Sequence, residues 1–429
     1  MLRRPSGRLA TLVVAGAAIL LGVGALPSAA ATANRASAPG ITSTSVLVAQ
    51  IASLTGSNAS SADGTDAIIG AKARIALQNA HGGVYGRKID LISLDDQTNP
   101  SAANTAVQSA IETRGAFALL STSGLLFAAA PFLQQNGIPV IGDGDDGQEW
   151  CQQPYTNMFE ITGQCDARLP QYTTMAAFMK AHGVTDVASL GYGISPSSAA
   201  SARGFALAAT HEGMKVGYLD DNVPFGSVNV TAYALAMKSA GVNGLYMSMA
   251  ADTSVAMVTA AKQGGVNLKV AVLPDGYGES ILSDRSALQA IQGSYFTSGR
   301  EPPSELNSPA LRAQKAAMKK YAGVTGVIGT GYTNGWLSAD LFIKGLEVAG
   351  RNPTRQSYIA ALRKVSNYTA GGLLPVASNF TLAKFGRASS TNCAYLVRLE
   401  GHKFVPVPAN GKPTCGTLIP NSDQMPANS

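Results

Sequence analysis

From Gly70 to Pro100 the chain reads GAKARIALQNAHGGVYGRKIDLISLDDQTNP, and this span dictates an order of elements that few folds accommodate. Ile68, Ala71 and Ile75 recur at helical spacing. Gly82-Gly83 then supplies the positive-φ stop that ends helices. Ile89, Leu91, Ile92 and Leu94 come next as a strand, and Asn99-Pro100 sets an N-cap with proline in the first turn of a new helix.

The same rhythm runs along the rest of the chain. Strand Ser45 to Gln50 opens it. A helix over Ala103 to Arg114, a strand over Ala116 to Leu120, a helix ending at Gly137 and a strand over Ile138 to Ile141 lead into the acidic loop GDGDDGQEW. A second series starts near Arg168, with predicted strands Val187 to Leu190, Lys215 to Leu219, Leu245 to Met249 and Lys269 to Leu273 between helices. Short apolar strands separated by helices predict parallel sheets, and two series predict two doubly wound lobes.

In spelling and element order, the span from Gly70 is similar to the type I periplasmic-binding-protein family, in particular its leucine/isoleucine/valine-binding branch. The opening helix of that family reads much like GAKLAVEEINAAGGVNGRKI and precedes an acidic turn. The resemblance implies an α/β protein of two doubly wound parallel-sheet lobes joined by a three-strand hinge. It implies lobe 1 over 45–162 plus 299–371 and lobe 2 over 163–298 plus 372–416, with crossings near Thr162, Thr297 and Gly371. Helices starting at Ser308-Pro309, near Gly331 and at Pro353-Thr354 would return to lobe 1. A final hairpin, Ala394 to Leu399 and Lys403 to Val407, would edge lobe 2, and 417–429 would be a tail. The function implied is ligand binding, not catalysis.

The N-terminus fits export. Arg3, Arg4 and Arg8 precede an apolar run from Thr11 to Leu26 and a small-residue zone over Pro27 to Ala31. A run of 16 residues rich in Gly and Ala is short for a spanning helix, which needs about 20 apolar residues. Residues 1–31 are therefore read as a cleaved signal peptide and 32–44 as a disordered leader. No cysteine precedes Cys151, so a lipid anchor is not expected. Without the three signal arginines the formal charge falls from +6 to +3, which gives no reason to expect nucleic acid or a polybasic membrane patch.

Four cysteines in an exported chain favour disulfides. Of three pairings the sequence-local one, Cys151–Cys165 with Cys393–Cys415, is expected. No CxxC spacing or histidine cluster suggests a metal, and no cofactor is expected.

Three loops at strand ends carry the candidate chemistry. Ser121-Thr122-Ser123-Gly124 is either an ordinary helix cap or an anion site. The resemblance implies that it holds a ligand carboxylate through Ser121 and Ser123. Gly142-Asp143-Gly144-Asp145-Asp146-Gly147 spells GxGxxG, but its aspartates would repel a pyrophosphate and Pro154 interrupts any following helix. In the resembled family this loop touches the ligand. Asp143, Asp145 and Asp146 then favour a cationic group, or else cap their own loop. Asp275, in Leu273-Pro274-Asp275-Gly276-Tyr277, is a plain Asp-Gly turn or, by the resemblance, the partner of a ligand ammonium.

The family's ligand-clamping aromatics fall here near Ala62 and Ser197 and at Ala250-Ala251, which predicts a roomier, less aromatic pocket. Tyr192, Trp150 and Tyr277 are the candidate substitutes. No GxSxG elbow, HExxH or P-loop is present. The reading is a monomeric solute-binding protein that captures a small amino-acid-like molecule and hands it to ABC permease subunits. An extracellular sensor of the same fold is the alternative, and an exported α/β hydrolase a more distant one.

Overall fold

The computed structural model describes residues 34–56, 61–144, 147–162, 171–226, 228–387 and 391–422. The expected signal peptide, Asp145, Asp146 and Cys165 lie outside them. Asn34 onward forms one compact unit.

A first sheet has the order β2-β1-β3-β4-β5, all parallel. Its strands are β1 (Ser45–Ala52), β2 (Lys88–Asp95), β3 (Ala118–Thr122), β4 (Val140–Gly142) and β5 (Met158–Glu160). Alternation along β1 sends Val46 and Val48 into one core and Ala49 and Ile51 into another. Both faces are therefore covered, as parallel sheets require. Helices α1 (Ser61–Ala80), α10 (Pro309–Ala322), α11 (Thr330–Ala349) and α12 (Arg355–Leu362) cover one face, and α2 (Pro100–Gln108) and α3 (Ala130–Gln135) the other.

The second sheet is mixed. β6 (Asp186–Tyr192), β7 (Lys215–Val223), β8 (Gly244–Ser248), β9 (Val270–Leu273) and β10 (Tyr295–Gly299) run parallel. The hairpin β11 (Thr391–Glu400) and β12 (Lys403–Val407) adds an antiparallel edge, as expected. α4 (Thr174–Ala181) and α5 (Pro196–His211) pack on one face. α6 (Val230–Ala240), α7 (Ala251–Gln263), α8 (Glu279–Ser283) and α9 (Arg285–Ala290) pack on the other. The chain passes between the sheets three times: after β5, after β10 and before β11.

Local signals explain the opening span. Asn99 accepts from the backbone N–H groups of Ser101 (2.8 Å) and Ala102 (3.1 Å), with Pro100 at the first helical position. Gly83 sits at φ +74°, and a Cβ there would lie 1.8 Å from the Arg87 carbonyl oxygen. Only glycine fits that stop.

Three boundaries differ from expectation. Residues 34–44 are tied down, not loose: Ile41 is buried, Arg35 N–H donates to Asn352 Oδ1 at 2.8 Å, and Arg87 donates to the carbonyls of Thr42 and Arg35. Leu373, Leu374 and Phe380 belong to the first-sheet core, so the third passage comes after Phe380 and not at Gly371. Arg363 fastens this stretch, donating to Thr156 O (2.9 Å), Met158 O (2.6 Å) and Phe380 O (3.3 Å) between the rings of Phe159 and Phe385. At the C-terminal end a further strand, β13 (Thr414–Thr417), pairs with β11, and the Cys393–Cys415 disulfide joins the two. Ile419 is buried in the second-sheet core, so the expected tail docks at its beginning. Cys151 is disulfide-bonded, and its expected partner lies outside the described residues.

Candidate functional site

In parallel βα units every strand ends, and every succeeding helix begins, at the same edge of the sheet, and ligands bind there. The two sheets turn those edges toward one cavity of about 730 Å³, within the range of small-molecule sites. Ser53, Ser123 and Asp143 reach it from the ends of β1, β3 and β4. Ile194, Met249 and Asp275 reach it from the ends of β6, β8 and β9, and Thr297 to Glu301 from the end of β10. Residues from the beginnings of α1, α5 and α11, and Ala250 just before α7, add to the lining.

Among the expected site residues, Ser123, Asp143, Tyr192, Ser197, Ala250 and Asp275 line this cavity together. Ser121 and Tyr277 are not among its lining residues. Ser121 is fully buried behind the wall, where its Oγ accepts from Ser123 N–H at 3.3 Å. Tyr277 is 2% exposed, donates to Glu305 Oε2 at 2.6 Å and packs edge-on against Phe404. Trp150 is also core, not lining.

Ser123 is already occupied. Its hydroxyl donates to the buried Asp96 carboxylate and accepts from Leu125 N–H at 3.1 Å. Beyond it the chain enters a short 3₁₀ turn over Leu126–Ala129, not the expected α-helix start. At Ser123 the expected anion site therefore lacks a free hydroxyl proton, and no α-helix begins there. Asp143 accepts from Asn334 on α11.

Tyr192 donates to Thr253 Oγ1 at 2.8 Å, and its ring meets Phe225 edge-on at 4.9 Å. Burial, with Asp252 and Asp275 nearby, pushes its hydroxyl up to about 12. Ser197 and Ala250, where the resembled family was expected to carry aromatics, line the cavity, and rings come from other positions. Tyr172, Phe205, Phe225 and Tyr246 also line the cavity, Phe205 and Tyr246 stacked at 4.4 Å. These rings sit on apolar faces whose periodicity is that of ordinary core, so nothing in the sequence pattern marks them out.

Asp63, Glu160, Glu301 and Thr330 also line the cavity without having been expected there. Asp63, in the first turn of α1, is pushed up to about 7 by burial, then by Asp66 and by Asp252 from the other side of the cavity. Asp66 is raised to about 6, with burial again the main cause. Thr330 begins α11, which carries no side-chain cap, and its Oγ1 is buried without a hydrogen-bond partner. The run DAIIGAKARI in α1 opens on Asp66, and the sequence signal that points toward Asp63 is the acidic first turn SADGTD that precedes this apolar stretch.

Chemically, the site offers carboxylates and uncapped helix starts within an aromatic wall. It can hold a small molecule bearing both charges. Among the described residues no group of three or more His, Cys, Asp and Glu is placed to hold a metal ion. No helix among them is long and apolar enough to cross a membrane.

Residues 45–403 match the family model described as "Periplasmic binding protein". No curated protein sequence matches the chain. Among solved structures, a fatty acid ABC transporter substrate-binding protein from Thermomonospora curvata is similar at a TM-score of 0.73 and 17% identity, covering 92% of this chain and 97% of that one. A leucine binding protein from Thermotoga maritima gives 0.69 and 17%, covering 84% and 97%. An ABC transporter solute binding protein from R. palustris, in complex with benzoate, gives 0.69 and 16%, covering 88% and 98%. At these identities the likeness is one of fold.

Proposed function

Because this chain belongs to the periplasmic binding protein family, we propose that it captures a small amino-acid-like ligand between its two sheets and delivers it to ABC permease subunits. The observation that carries this reading is the charge of the cavity. Its described lining holds five carboxylates, Asp63, Asp143, Glu160, Asp275 and Glu301, against one guanidinium, Arg300. The neighbouring structures are named for benzoate, a fatty acid and leucine. Of these only the amino acid brings a positive group, and closing a carboxylate-rich cavity on a ligand without one costs several kcal/mol.

In this reading Asp275 takes the ligand's ammonium in a charge-assisted bond. The carboxylate is assigned to Thr330 and the uncapped start of α11, in place of Ser123, whose hydroxyl proton is committed to Asp96. Tyr192 and Phe225 close on the apolar part. The solved neighbours come from ABC transporters, which supports delivery to a permease. Export through a cleaved signal, absence of a lipid anchor and a monomeric state belong to the same proposal.

A thermal-shift screen against amino acids, amides, polyamines and small acids tests it. Ligands with an ammonium are expected to raise the melting temperature. A response confined to small acids would reject the reading.

A further inference from the structure

Glu301 lies where the chain leaves β10 for α10, on one of the three passages between the sheets, and it lines the cavity. It is 7% exposed. Its carboxylate accepts from its own backbone N–H and that of Arg300, yet Oε1 has no hydrogen-bond partner. Gly299, at φ +73°, makes room for this fold-back, since a Cβ there would lie 2.8 Å from Glu301 Oε2. Glu160, the last residue of β5, also lines the cavity.

A buried carboxylate oxygen without a donor is disfavoured unless a positive group meets it. Burial drives Glu301 up to about 7. Glu160 adds to this, while the two N–H groups and the Arg300 charge pull the other way. The lining therefore contains an acid that the protein alone leaves only partly ionised at neutral pH.

We propose that Glu301 is a cation subsite and that the ligand is a dibasic amino acid. Its α-ammonium meets Asp275, and its side-chain ammonium or guanidinium meets Glu301. This rests on the amino-acid reading of the cavity and narrows it. Arrival of the distal cation returns Glu301 to its ionised form, so the proton it held passes to the buffer. Glu160 and Arg300 are the charged groups that face it.

Two matched pairs test the assignment by isothermal titration calorimetry: lysine with norleucine, and arginine with citrulline. Members of each pair are similar in length and differ in the distal charge. The charged member of at least one pair is expected to bind about thirtyfold tighter. At pH 7 it should also release protons, seen as an enthalpy that varies with the buffer's ionisation heat. In E301Q the preference falls to about threefold or less, and the extra proton release disappears. Equal affinities within both pairs, or a preference that survives E301Q, overturn the cation subsite while binding of norleucine or citrulline leaves the amino-acid reading standing. Failure of all four to bind overturns both. Should E301Q not fold, the wild-type ratios and proton release decide.

Discussion

The backbone of Gly335 on α11 lies so close to Ala67 on α1 that a Cβ at position 335 would sit 1.8 Å from the Ala67 carbonyl oxygen. Gly70 and Gly331 extend this seam, at 2.1 Å from Tyr332 O and 2.6 Å from Asp63 O. The contact brings the starts of both helices, with Asp63 and Thr330, to the same side of the cavity. Backbone cannot yield as a side-chain end can, so Gly335→Ala should cost at least the roughly 1–3 kcal/mol typical of overpacking. Urea unfolding with wild-type stability would contradict the seam.

Asp275→Asn should weaken ligand binding by roughly 2–5 kcal/mol if that carboxylate pairs with a buried ammonium. Calorimetry with the ligand identified by the screen measures this. Unchanged affinity would remove Asp275 from the site.

Ligand-free protein should become less stable as pH rises through the acid range toward neutrality. Asp63 and Glu301 are raised to about 7 and Asp66 to about 6, from ordinary values of 3.8, 4.5 and 3.8. Between roughly pH 4 and 7 the folded state therefore binds more protons than the unfolded chain, and stability falls as pH rises across that window. Melting temperatures should be higher at pH 5 than at pH 7.5, and Asp63→Asn should shrink the difference. A melting temperature that rises over this interval would refute the assignment.

Replacing Cys393 and Cys415 together by serine should cost about 2–4 kcal/mol. Cys393 lines the cavity, so the same variant should also bind ligand more weakly. Thermal unfolding and calorimetry on the variant check both.

Much of the frame was legible because parallel strands and their helices leave strong periodic traces. The span from Gly70 to Pro100 announced α1, β2 and the start of α2, and the final hairpin was equally plain. β13 was not, since Gly411, Pro413 and Gly416 break its pattern and the strand it pairs with, β11, begins 23 positions before it. The site was read less well for a different reason. Loop position told that Asp143 and Asp275 face the cavity, but sequence does not reveal that Ser123 spends its hydroxyl on Asp96, 27 positions away. Nor does it show that Tyr277, two residues from Asp275, turns back toward Glu305 and Phe404.

The carboxylates of the cavity and Thr330 stand at strand ends, helix starts or the passages between sheets, outside the apolar layers that hold each sheet together. Recognition and folding are thereby written on separate parts of the chain. A lineage carrying this architecture can exchange its cargo by altering a handful of loop tips, with the interior left untouched. The same separation lets an engineer retune the cavity one position at a time.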